Sequence, residues 1–223
     1  MANSAKDQTR QLQRALYRAA KRSATRRFHA LYDKVHRWDI LERAWQQVRF
    51  NGGAAGVDGE SLRDIEQYGV ERVLLGLQDQ LRNGNYRPKP VRRVYIPKQG
   101  KTEKRSPGIP PIRDRIVQTA TKIVIEPIFE ADFVDHSYGF RPKRSAHDAE
   151  DRIRQLTNKG RQWVVDADIM GYFDNIDQTK LMTMIEQRVS DRRILKLIRN
   201  WLRAGVMEEG NIRKSTTGTP QGG

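Results

Sequence analysis

Apolar positions recur along the chain with two different spacings. From Ile116 to Phe133 the residues Val117, Ala120, Ile123, Val124 and Ile128 follow the three-to-four step of a helix face, predicting a core helix broken near Pro127. Val70 to Asn83 predicts an amphipathic helix ended by Gly84, and Ser61 is placed to cap a short helix before it. Ser145 is placed to cap a helix running to Asn158, Asp177 one running to about Val189, and a further helix spans Asp191 to Ala204. Strand composition appears at Val91 to Ile96, with a return over Arg105 to Ile109 across the polar turn Gln99 to Glu103. The prolines there assign an edge hairpin. Gln162 to Ile169 reads as a buried strand and Val206 to Lys214 as a closing hairpin. Helices mixed with short strands define an α+β class.

The N-terminal pattern is different. Arg10, Arg14, Arg18, Arg22 and Arg26 recur every fourth residue, so on a helix they form one basic stripe, with Leu12, Leu16 and Ala19 on another face. A second helical segment, roughly Ala30 to Arg49, leads to the glycine-rich "NGGAAGVDG", Asn51 to Gly59. The first fifty residues hold twelve Lys and Arg against four acidic residues, and the whole chain of 223 residues has a formal net charge of +15. Five like charges in one row repel each other unless an anion lies along them, so the balance selects a phosphate-rich partner, nucleic acid. No apolar run approaches the ~18 residues of a spanning helix, which argues against a membrane protein. The absence of cysteine excludes a disulfide framework and a thiolate zinc site. A cytoplasmic location, with nucleoid or ribonucleoprotein, is the corresponding expectation.

Against that charge, "VVDADIMGYFDNID" gathers Asp166, Asp168, Asp174 and Asp177. Several fall at EF-hand loop positions, but Met170 stands where a ligand is needed and Asp177 where the bidentate Glu belongs, so calcium is a poor fit. Asp177 suits a helix cap; Asp166 and Asp174 stay open between capping, ion pairing and metal binding. Asp168, at the end of a strand before a turn, suits a hard cation such as Mg²⁺ that keeps room for substrate phosphates. Phe173, five residues on, is near enough to face the sugar of a nucleotide. His136 and His147 lack metal-ligand spacing.

Seven blocks then occur in order: "RFHALYDKV", "GAAGVDG", "IPK", "GIPPIRDRIVQ", "SYGFRPKRSAHDA", "DADIMGYFDNID" and "GTPQGG". Together, from about Arg27 to Gly223, they resemble the reverse transcriptase-maturases encoded by group II introns. The resemblance implies right-hand polymerase fingers with an incomplete palm, Mg²⁺ as cofactor, and intron RNA or RNA template, DNA primer and dNTPs as partners. It implies Asp168 as the first catalytic metal ligand with the Ile169 carbonyl beside it, Phe173 as steric gate, and Gln221 and Gly222 supporting the nascent base pair. Lys98 and Arg105 resemble the triphosphate-binding residues, Ile109 the residue packing on the templating base, and the glycine loop, Gly56 included, a template- or intron-binding extension. Arg141 is a further nucleic-acid candidate, and the stripe Arg10 to Arg26 would bind RNA.

Two departures accompany the resemblance. Arg105-Ser106-Pro107-Gly108 replaces the commoner Arg-Pro-Leu-Gly, and the spacing from Lys98 is one residue long, leaving Lys101 and Lys104 as alternative donors. No Tyr-x-Asp-Asp block occurs in the 223 residues, so the expectation is a chain that does not polymerise alone and that a second chain or further segment completes. The expected division is a basic helical extension with the glycine loop (1–60), fingers (61–160) and the first part of the palm (161–223). A splicing-assisting RNA-binding module without catalysis, or a retron or defence-associated reverse transcriptase, is the rival reading.

Overall fold

The structure is a computed structural model that describes residues 2–97, 104–213 and 217–219. Among these the chain forms α1 (Ala2–Arg22), α2 (Tyr32–Val35), α3 (Trp38–Asn51), α4 (Leu62–Tyr68), α5 (Val70–Arg82), β1 (Val91–Arg93), β2 (Ile96–Pro97), β3 (Lys104–Arg105), β4 (Gly108–Ile109), α6 (Ile112–Glu130), α7 (Ala146–Asn158), α8 (Tyr172–Asn175), α9 (Gln178–Glu186), α10 (Arg192–Arg203), β5 (Val206–Glu208) and β6 (Asn211–Arg213). This is the α+β class that the pattern predicts.

Helix α6 is the centre. Its buried residues Ile112, Ile116, Val117, Ala120, Ile123, Val124 and Ile128 cover more than one face, so helices pack on it from several sides, α1 and α3 most extensively. Full burial of each such aliphatic chain contributes about 1.5–3 kcal/mol. The expected break at Pro127 does not occur: α6 starts earlier, at Ile112, and continues through the proline to Glu130. The reason is in α1. Pro127 has no N–H for the carbonyl four residues back, and the side-chain amide of Gln13 donates to that Ile123 carbonyl at 3.2 Å instead.

Local signals set the helix ends. Ser61 and Asp64 form a capping box at α4, Ser145 and Asp148 another at α7. Asp177 caps α9 by accepting the amides of Thr179 and Lys180, and these bonds, Lys180 first, hold its carboxyl below the ordinary carboxylate range. The second helical segment divides at His36 and Arg37 into α2 and α3. Arg26 lies beyond the end of α1, so it leaves the stripe and its guanidinium stacks over Phe28 at 5.2 Å.

The strands make two small sheets. One runs β4-β1-β5-β6, with β1 antiparallel to β4 and parallel to β5, in the registers Arg92↔Ile109 and Val91↔Val206. The other is β2 with β3, Ile96 opposite Arg105. The expected hairpin is thus present in two pieces, joined by the Val94 amide donating to the Pro107 carbonyl at 3.1 Å. The turn 98–103 lies outside the described residues. A third expectation is corrected: Gln162 to Ile169 is extended but forms no strand, and Trp163, Val164 and Val165 stand in solvent. Strand composition becomes a strand only when a neighbour takes up the backbone bonds, and no described strand lies alongside.

Two polar residues stitch the chain's beginning to its later helices. The buried Asp191 carboxylate caps α10 through the amides of Arg193 and Ile194, and also accepts those of Leu31 and Tyr32, each at 2.8 Å. Arg188 donates to the carbonyls of Ala20, in the last turn of α1, and of Ser23, Ala24 and Arg26 just after it, and pairs with Asp132 at 2.9 Å.

Candidate active site and nucleic-acid interface

The acidic stretch is a turn built around one glycine. Gly171 sits at φ +60, where a Cβ would meet the Asn175 side-chain amide at 2.9 Å. Its carbonyl accepts the amides of Asp174 and Asn175 and the Asn175 side chain, closing the single turn of α8. Tyr172 and Phe173 project from that turn with rings edge-to-face at 5.5 Å, and Phe173 is 43% exposed. Asp166, Asp168 and Ile169 precede it in the extended segment, exposed to solvent.

The chain's last described stretch returns to this turn. The Gly218 amide donates to Ile176 O and the Thr219 amide to Phe173 O, both at 2.8 Å. Gly218, at φ +76, lies so close that a Cβ would meet Asp174 O at 2.7 Å and Phe173 O at 2.9 Å. Gln178 donates to the Gly218 carbonyl at 3.0 Å. Gly218 and Thr219 are therefore fixed to the Phe173 turn; Gln221 and Gly222 lie outside the described residues. A cavity of about 200 Å³, lined by Asp174, Arg93, Ser106, Thr217 and Trp201 among others, separates this turn from the root of the hairpin. Asp174 thus faces a shared cavity, and Asp177 is taken by its helix cap.

A metal needs several oxygens in one place. Among the described residues no group of three or more His, Cys, Asp or Glu side chains is arranged to hold one. Asp168 supplies a single exposed carboxylate, so the residues described do not by themselves fit a two-metal set. The calcium arrangement fails for the same reason.

On the hairpin, Lys98 and Lys101 lie outside the described residues, and of Lys104 and Arg105 only the backbone in β3 is described. Ile109, on β4, lines a groove of about 810 Å³ with Gly53, Ala54, Gln118, Lys122 and Trp201.

The glycine loop forms the groove's other wall, and its close approach is to its own chain. Gly56 is buried, and a Cβ there would meet Pro111 N at 2.5 Å and Pro111 Cα at 2.6 Å. Arg92 donates twice to Ala55 O, while Arg115 donates to Pro110 O, Gly52 O and Ala54 O. Arg113 pairs with Glu60 through two 2.8 Å bonds, and Lys89 with Asp58 at 3.1 Å. Gly56 therefore lets the loop pack against Pro111 of its own chain. Gly56→Ala is expected to lower stability by about 1–3 kcal/mol, because the clash is with backbone that cannot turn aside; a urea midpoint unchanged from wild type would contradict it.

Arg141 likewise has partners within its own chain. It is 8% exposed, forks onto Glu130, donates to Val134 O and Ser137 O at 2.7 Å each, and stacks over Phe133. Its guanidinium is spent on closing the turn after α6. By contrast Arg10, Arg14, Arg18 and Arg22 are exposed along α1, with no ion pair among the described residues. His147 sits 3.4 Å from Glu150 on the surface.

Sequence reasoning missed a buried network. Trp201 donates to the Tyr86 hydroxyl at 3.1 Å, Tyr86 donates to Asp114 at 2.6 Å, and the other Asp114 oxygen accepts the Lys89 amide at 2.9 Å. Burial pushes the Asp114 carboxyl up, and burial, then Asp114, pushes the Tyr86 hydroxyl up further. The available signal was a carboxylate in the first turn of the most apolar helix.

A helical base, a split hairpin and an acidic turn held against Gly218 and Thr219 are consistent with a fingers and palm fragment of a reverse transcriptase. Residues 96–223 match the reverse transcriptase (RNA-dependent DNA polymerase) family. The chain belongs to that family, in its group II intron-encoded reverse transcriptase/maturase branch. It is 37% identical over 198 residues to the group II intron-encoded protein LtrA of Lactococcus lactis, covering 88% of this chain and 32% of that protein. It is 43% identical over 173 residues to protein YkfC of Escherichia coli, covering 75% of this chain and 45% of that one. It is 34% identical over 94 residues to nuclear intron maturase 1, mitochondrial, of Arabidopsis thaliana, covering 42% of this chain and 13% of the maturase. The chain thus spans about a third of the length of the first and less than half of the second. Among the described residues no helix is long and apolar enough to cross a membrane.

Proposed function

We propose that this chain is the fingers and first palm portion of an RNA-directed DNA polymerase of group II intron type, acting on an RNA template and intron RNA with a DNA primer and dNTPs. The observation that carries the reading is the docking of Gly218 and Thr219 on the Phe173 turn, which joins two sequence blocks of the family into one surface. In this reading Asp168 and the Ile169 carbonyl provide two of the oxygens of a Mg²⁺ site that other carboxylates complete. Phe173 flanks the sugar of the incoming nucleotide, and Gln221 and Gly222 follow beneath the base pair. Lys98 and Arg105 meet the triphosphate, with Lys101 and Lys104 as the alternatives, and Ile109 packs on the templating base. The test is primer extension on an RNA template: this chain alone should be silent, and the same chain supplied with the portion of a relative beyond the matched stretch should extend. Silence in both, with the assembled protein folded, would sink the polymerase reading.

The exposed stripe Arg10, Arg14, Arg18 and Arg22 favours RNA as the partner of α1. The affinity of this chain for RNA should fall steeply with salt, by about 0.7–0.9 log units per neutralised phosphate per log unit of salt. Reversing the four charges to Glu should flatten that slope by about three units or more, and an unchanged slope would return the stripe to being a solvated face.

A further inference from the structure

We propose that Trp201 is a positioning residue that fixes the root of the fingers hairpin, β1 with β4, against the end of α10. The inference deepens the reading above only in its consequence, because the residue that the root carries is Ile109.

The root has two attachments to α10. One is β1 itself, whose Val91 amide donates to Gly205 O at 3.0 Å just past the helix end. The other is the chain Trp201–Tyr86–Asp114–Lys89. Lys89 immediately precedes β1 and Asp114 lies shortly after β4, so one carboxylate ties together the strands' entry and exit. Both Tyr86 and Asp114 are buried, at 5% and 4% exposure. Every polar atom in the chain is used: the indole donates, the hydroxyl accepts and donates, and both carboxylate oxygens accept. Such a satisfied network specifies one arrangement.

Packing alone does not hold β4. The cavities of about 200 Å³ and 810 Å³ both touch Gly108, and Trp201 lines both. A strand beside open volume has few neighbours to fix it. With the β1–β5 pairing and its Val91–Gly205 bond as the remaining attachment along one edge, the root would pivot about that edge, and Ile109 would swing with it across the groove.

The chain contains no cysteine, so nitroxide labels can be placed at Lys104→Cys on the hairpin and Lys196→Cys on α10 and their separation measured by double electron–electron resonance. The wild-type background should give one narrow distance distribution. Trp201→Phe and Tyr86→Phe should each broaden it to a similar extent, and the two together should broaden it no more than either alone, because they break one chain of bonds. Leu77→Ala, which removes a buried core side chain of α5 away from the network, should lower stability and leave the distribution narrow. Distributions in Trp201→Phe and Tyr86→Phe that match wild type, or a Leu77→Ala distribution equally broad, would overturn the proposal. The readout uses neither nucleotide nor template, so it stands apart from whether the assembled protein polymerises.

Discussion

Asp168→Ala is expected to reduce magnesium-dependent primer extension by the assembled protein to the level without protein, while leaving folding and RNA binding unchanged. The side chain is exposed and in no described contact that holds the fold, so its removal takes away an oxygen and nothing else. That separation makes the substitution informative. Removing a buried acid such as Asp114 or Asp191 would confuse lost chemistry with lost structure. Asp166→Ala is the matched control, two residues away and equally exposed. If Asp168→Ala retained the wild-type rate, or if Asp166→Ala alone abolished it, the assignment of the metal-binding carboxylate would be wrong. Calorimetric titration with Mg²⁺ should give little heat for this chain by itself, because its described residues gather no set of carboxylates.

The largest expected effect on stability is at Arg188. Its side chain is 6% exposed and its guanidinium serves the carbonyls of Ala20, Ser23, Ala24 and Arg26 as well as the carboxylate of Asp132. Arg188→Ala would remove the shared donor from four carbonyls at and after the end of α1 and the ion partner from the exposed Asp132, at a cost of about 2–4 kcal/mol. Urea denaturation should show a lower midpoint with an unchanged slope. Arg188→Lys should recover only part of the loss, since a point charge on a flexible stem cannot reach four carbonyls at once. A loss below about 1 kcal/mol for Arg188→Ala would mean that water replaces these bonds without cost.

What the sequence made legible was local or linear. Ser61, Ser145 and Asp177 were readable as caps because a cap is decided by residues within one turn. The reverse transcriptase blocks were readable because their order is linear. The misreadings each depended on a distant partner. Pro127 breaks a helix unless something supplies the missing donor, and Gln13 does so from the other end of the chain. Gly56 and Arg141 likewise have partners within the chain, Pro111 and Glu130, that the sequence alone did not reveal. The run Trp163 to Val165 has strand composition, yet a strand is a property of a pair. The acidic turn divides along the same line: its glycine and its cap are local, whereas the set of carboxylates around Asp168 is not among the described residues.

The contact between Asp191 and Leu31 spans 160 positions of sequence, and it has a consequence for the order of events during synthesis. At roughly 5–20 residues per second, a ribosome needs on the order of 8–30 s to travel from one partner to the other. For the later part of that interval α1 has left the tunnel, with its arginines displayed and the carbonyls around its end that Arg188 will later claim still open to water. The basic stripe is therefore presented to solvent before the residues that fix the end of α1 have been made.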